Sequence, residues 1–303
     1  MDTPKPKTLP MTLSETSNPH GNVKRLSNDQ QCLLTITDSL NASGQILGLL
    51  NMAISNPRTT IPEIATILRR DVMLSARIIR ISNSAFFVRT SNVCKTIEDA
   101  LQRVGMREIA RLIATATMQG MAPPRLRAYG ISGDQFNKSV LFTASASQLI
   151  AAEVKMDPNV AYLAGLMRPL GILVLNKWAE QQFSHVDKLE WGGAGSLLQW
   201  EQNTFGLNHI EVSSFITRKW GFPASVSDSI EKSTDQLACV NESPMSLILQ
   251  TAETLAESNR ATFHALQSGS ALRKDRLDAL GIKSVQLVEI SRGALHQSRN
   301  FSN

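Results

Sequence analysis

Three arginines set four residues apart, Arg103, Arg107 and Arg111, form the first pattern in this chain that could do chemistry. On a continuous helix that spacing makes a basic stripe, and guanidinium groups so placed could hold phosphate oxygens. The bland reading is the solvated face of an amphipathic helix. Histidines are few, five in 303 residues. His185, with Asp187 and Glu190 close behind, is a commonplace grouping, and His209 stands apart. Cys32, Cys94 and Cys239 are odd in number and widely separated. No CxxC pair and no Cys/His set at zinc spacing occurs, so neither a disulfide framework nor a structural zinc site is expected. The sequence has no GxSxG, P-loop, GxGxxG or HExxH, so the chemistries those motifs mark have no support here.

Composition says what must position these residues. Residues of the apolar set make up 42% and charged residues 19%, enough to build a sizeable core and too apolar for a wholly disordered chain. Aromatics stand at 5%, with two Tyr against ten Met, a profile that suits helices better than β-sandwiches or barrels. The net charge of +5 permits nucleic-acid or nucleotide partners without demanding them. No apolar run reaches the roughly 18 residues of a membrane span, and the first residues lack the apolar stretch of a secretory signal. The expectation is a cytoplasmic protein with reduced thiols and no membrane partner.

Residues 1–34, rich in Pro, Ser, Thr, Asn and Lys, read as a disordered tail. Helical periodicity then begins. Thr60-x-x-Glu63 has capping-box spacing with Pro62 in the first turn. Asp71 opens a second helix and Thr96 a third, with Gly105 placed to end it. A long Ala/Ser-rich helix is predicted from about Gln135 to Val154. Asp157-Pro158 should start one apolar helix running to about Lys177. Further helices are predicted at 224–232, 243–258 and 284–298. No stretch alternates cleanly with period two, so strands should be few or absent. The fold class is all-α, a multi-helix bundle.

Thr60 to Ala85 imitates a DNA-binding helix-turn-helix, with Arg77 and Arg80 placed to meet phosphates. A recognition helix needs outward polar side chains to read bases. Val72, Met73, Leu74, Ile78, Ile79 and Ile81 leave little such surface, so specific nucleic-acid binding is not expected.

The same stretch resembles the opening of the HDOD family. The resemblance rests on Glu63-Ile64-Ala65, then Asp71, Leu74 and Ser75, then Asn83-Ser84-Ala85, and on Thr96-Ile97 and Ala100-Leu101 before Gly105. Further on, Gly165-Leu166-Met167-Arg168-Pro169-Leu170-Gly171 stands where the family shows a Gly-Leu-Leu-His-Asp-Ile-Gly-like segment. Glu201, Gly206, His209, Val212, Trp220 and Pro223 follow its E…G…H…V…W-x-x-P pattern. The resemblance spans residues 35–235 and leaves 236–303 to complete the bundle or dock on it. It implies a helical bacterial signalling domain, distantly related to HD-type metal phosphohydrolases. Asp71, Asn83, Ser84, Gly165, Gly171, Trp220 and Pro223 would be its structural positions.

Departures from the pattern set the functional expectation. An HD site needs clustered His and Asp ligands around a divalent ion. Here the central pair is Arg168 and Pro169, Lys138 stands where a first histidine would fall, and Ile230-Glu231-Lys232-Ser233 supplies no later one. A guanidinium has no lone pair to give and proline offers no ligand. The expectation is therefore no catalytic residue, no metal and no cofactor, and a regulatory protein that works by binding a signalling partner. Arg103, Arg107, Arg111, Arg168 and His209 are the candidate binding residues. A phosphorylated small molecule or nucleotide, held by Arg168 in place of the metal, is the alternative, and a metal-dependent phosphohydrolase comes third.

Overall fold

Local capping starts the first helices. The computed structural model describes residues 46–50, 53, 56, 58–84, 87, 93–189, 196–233, 243–259 and 274–302, so the tail expected over 1–34 lies outside the described residues. The Thr60 amide donates to the Glu63 carboxylate (2.7 Å) at the start of α1, Ile61–Leu68. Asp71 accepts from the Leu74 amide (2.9 Å) to open α2, Val72–Ser82. Thr96 and Asp99 form a reciprocal capping box before α3, Ile97–Val104. Gly105, at φ +83° and ψ 155°, adopts a conformation that only glycine reaches cheaply. It separates α3 from α4, Met106–Met121.

A feature absent from the sequence pattern follows. Arg125–Leu126 (β1) pairs antiparallel with Ile131–Ser132 (β2), in the register Arg125↔Ser132 and Leu126↔Ile131. The turn between them is a short 3-10 helix, Arg127–Tyr129, closed by Gly130 in the left-handed region, and it drives Tyr129 into the core. Ser132 then caps α5, Gly133–Glu153. Asp157 caps α6, Pro158–Met167, accepting from the Asn159 amide at 2.8 Å. The single apolar helix expected here is two. Arg168-Pro169 breaks it, because Pro169 has no amide hydrogen to continue the ladder, and α7, Leu170–Gln182, begins afresh. By length and composition Pro158–Gln182 could cross a membrane, but it is largely buried inside the bundle.

α8, Leu197–Phe205, ends at left-handed Gly206. Asn208 caps α9, His209–Lys219. The Gly221 and Phe222 amides bond back to the Arg218 and Thr217 carbonyls, each at 3.0 Å, a Schellman stop with Trp220 as the last residue. Pro223 then leads into α10, Ala224–Lys232. α11 (Pro244–Ser258), α12 (Lys274–Leu280) and α13 (Ser284–Ser302) close the described chain. The fold is all-α apart from the two-residue strands.

Two apolar clusters hold it together, and α5 lies between them. Phe136, Leu141 and Ala144 face the core shared by α1 to α10. Phe142, Ala146 and Ile150 face Ile248, Leu255, Leu287 and Ile290 of α11 and α13. α11, α12 and α13 thus pack on the second side of a helix that already belongs to the first core.

Candidate functional site

The break between α6 and α7 turns Arg168 inward. Its side chain is 6% exposed. Nε donates to Ser233 Oγ (3.0 Å) and a terminal nitrogen to Glu253 Oε1 (2.7 Å). Ser213 on α9 staples the break itself: its hydroxyl donates to the Arg168 carbonyl (2.6 Å) and accepts from the Gly171 amide (2.7 Å). This satisfies backbone groups that a helix junction would otherwise leave unpaired in the interior. Close approach completes the junction, since a Cβ on Gly171 would lie 2.2 Å from the His209 carbonyl oxygen.

A second polar centre lies across α9. Glu201, fully buried on α8, accepts from the Tyr129 hydroxyl (2.8 Å), the His209 amide (2.9 Å) and His209 Nδ1 (2.7 Å). Three donors compensate one buried carboxylate, and the N-terminus of α9 adds its favourable dipole. An ionised carboxylate only accepts, so in this contact His209 Nδ1 is the donor. Nε2 is buried with no hydrogen-bond partner among the described residues. Burial, and then the Glu201 charge, push the Tyr129 phenol well above the usual tyrosine range. No group of three or more His, Cys, Asp or Glu among the described residues could hold a metal ion.

The arginines expected to form one stripe are not one stripe. Gly105 puts Arg103 on α3, where it donates to the Ser82 carbonyl (3.3 Å) and Asn83 Oδ1 (3.1 Å). Arg107 lies in the first turn of α4, its side chain outside the described residues. Arg111, also on α4, points inward and is 4% exposed. It bonds Gln148 (2.7 Å) and Glu108 (2.6 Å) and stacks on Tyr162, 5.0 Å from the ring centre. Lys138 is exposed and paired with Asp134. Asp187 is held by Arg127 at 3.0 and 2.6 Å, and Glu190 lies outside the described residues.

The pattern of the HDOD domain matches residues 43–236. The chain belongs to the HDOD family. No curated protein matches this HDOD chain in sequence, but solved structures share its fold. One is a candidate phosphohydrolase from Shewanella amazonensis SB2B, 18% identical, with a TM-score of 0.63 over 89% of this chain and 98% of the other. A candidate signal transduction protein from Marinobacter aquaeolei VT8 is 17% identical, with a TM-score of 0.65 over 91% of this chain and 66% of its own length. An HDOD domain protein of unknown function from Geobacter sulfurreducens is 20% identical, with a TM-score of 0.58 over 89% and 93%.

The motif residues of this HDOD chain have physical jobs. Asn83, at φ −93°, is not in the left-handed region that its place after α2 suggested. Instead its amide group brackets Cys94, donating to the carbonyl (2.9 Å) and accepting from the amide (2.8 Å). Ser84 bonds back to the Ile81 carbonyl through its own amide. Gly165 lets α6 approach α5, where a Cβ would fall 2.7 Å from Ser147 Oγ. Trp220 is buried, and its carbonyl lies 2.5 Å from where a Cβ on Gly48 would be. Sequence reasoning placed Glu201 only in a motif and missed it as a hub. Glu253 was missed altogether, since it lies beyond the matched residues and 85 positions from Arg168.

Proposed function

We propose that this HDOD chain is a non-catalytic regulatory protein that works by binding another protein in a bacterial, cytoplasmic signalling pathway. The observation that carries the reading is Arg168. At the place of the histidine of an HD pair, it offers a cation that cannot ligate a metal, and Glu253 and Ser233 already engage it. The neighbouring Pro169 caps α7 and has no side-chain donor. The name of the Marinobacter neighbour agrees with this reading, and that of the Shewanella neighbour points the other way. A phosphorylated ligand would have to draw Arg168 from its carboxylate, which counts against the nucleotide alternative.

The test is affinity capture from the native host, followed by reconstitution from purified components. One partner should co-purify and re-form a binary complex. Millimolar nucleotide should leave the melting temperature unchanged, whereas a ligand at a hundred times its dissociation constant would add about 2.7 kcal/mol. Absence of any partner, with a nucleotide-induced shift lost in Arg168→Met, would overturn the reading.

A further inference from the structure

The helix-turn-helix look-alike has an outward face unlike the one its sequence suggests. Leu74, Ile78 and Ile81 of α2 point inward, whereas Val72 and Met73 stand 77% and 69% exposed, among the most exposed large apolar side chains described. Ala76 and Arg80 are exposed on the same side, because positions i, i+4 and i+8 share a helical face. Arg69 and Arg70, also exposed, sit in the turn just before α2.

The charges around this face are unequal. Glu63 is held in its capping interaction, Asp71 caps α2, and Glu98 pairs with Arg69. Arg77 reaches the Ala116 carbonyl. The Arg70 and Arg80 guanidinium groups have no carboxylate partner among the described residues. The result is a small apolar centre between two unneutralised guanidinium groups.

We propose that this face of α2 docks an acidic, amphipathic segment of a partner protein, with Val72, Met73 and Ala76 taking its apolar side chains and Arg70 and Arg80 its carboxylates. The proposal rests on the reading of the chain as a protein-binding module and names the surface and the partner's chemistry. Charge complementarity requires an acidic occupant. Met and Arg are enriched, and Lys depleted, at protein interfaces, and guanidinium forks pair bidentately with carboxylates. Nucleic acid fits less well: apolar side chains at the centre give no base-reading hydrogen bonds. An anionic membrane also fits less well, since stable anchoring takes a larger basic cluster or inserted apolar area.

The test places a photoreactive side chain at the centre, Met73→p-benzoylphenylalanine, in the full chain in its native host, with Val285→p-benzoylphenylalanine at an exposed position of α13 as control. Irradiation should give one adduct from position 73. Its cross-linked peptide, sequenced by mass spectrometry, should be net acidic with apolar residues at helical spacing. Arg70→Glu/Arg80→Glu should weaken the adduct at least tenfold without moving the melting temperature. A basic or neutral peptide, a nucleic acid or a lipid at position 73 would overturn the proposal. So would capture of a partner by the wild-type chain with no adduct at 73, an outcome that leaves the protein-binding reading standing. Failure of capture itself would remove both.

Discussion

Arg168, at the break between α6 and α7, lies 2.7 Å from Glu253 on α11, with both side chains largely buried. The pair ties a family-motif position to a helix beyond the matched residues 43–236. Removing one partner strands a buried charge, which costs about 3–5 kcal/mol, whereas replacing both with apolar groups of similar volume is often neutral. Glu253→Ala or Arg168→Ala should therefore lower stability by about that amount, and Arg168→Met/Glu253→Leu should recover most of it. Urea unfolding followed by circular dichroism checks this; a Glu253→Ala protein as stable as wild type would contradict it.

Asn83 should matter for stability rather than for partner binding. Its side chain makes two hydrogen bonds to the Cys94 backbone and accepts a third from Arg103. Asn83→Ala leaves those groups unpaired in the half-buried interior, at a cost of about 1–3 kcal/mol. Melting temperature should fall while the captured partner still binds with unchanged affinity. A variant that melts like wild type but loses the partner would reverse the assignment.

The sequence contains two tyrosines, and both are fully buried. Burial raises the phenol of Tyr162, and burial with the Glu201 charge raises that of Tyr129 further. A raised folded-state value means the folded protein keeps its phenolic protons above pH 10, where the unfolded chain loses them. Stability from this source is complete below the ordinary tyrosine value of about 10 and is lost as pH rises beyond it. Tyrosinate absorbance should therefore appear only together with unfolding, and Tyr129→Phe should flatten the alkaline loss of stability. Tyrosinate forming near pH 10 in a still-folded protein would contradict the burial of both rings.

Helix starts were legible because capping is local. Thr60, Asp71, Thr96 and Asp157 announce themselves within four residues, and each caps where its spacing indicated. The all-α class followed from the same short-range periodicity. What failed to show was geometry set by single φ angles or by distant partners. Four-residue counting runs from Arg103 through Arg111 without registering that Gly105 redirects the chain, so a surface stripe was expected where Arg111 is interior. The β1–β2 hairpin is too short to leave a period-two trace. The Glu201 hub takes Tyr129 from 72 positions away, and Arg168 finds Glu253 at 85. No window of adjacent residues holds either relationship.

On the proposed reading, Arg168 and Pro169 leave this HDOD chain a binder and not a hydrolase. The most direct measurement is a turnover assay on the purified full chain, with Mn²⁺, Mg²⁺ or Fe²⁺ supplied, against cyclic dinucleotides and p-nitrophenyl phosphate esters. Rates should be no greater than those of metal in buffer alone. Metal-dependent turnover that survives repurification and is lost in His209→Ala, with the fold retained, would contradict it.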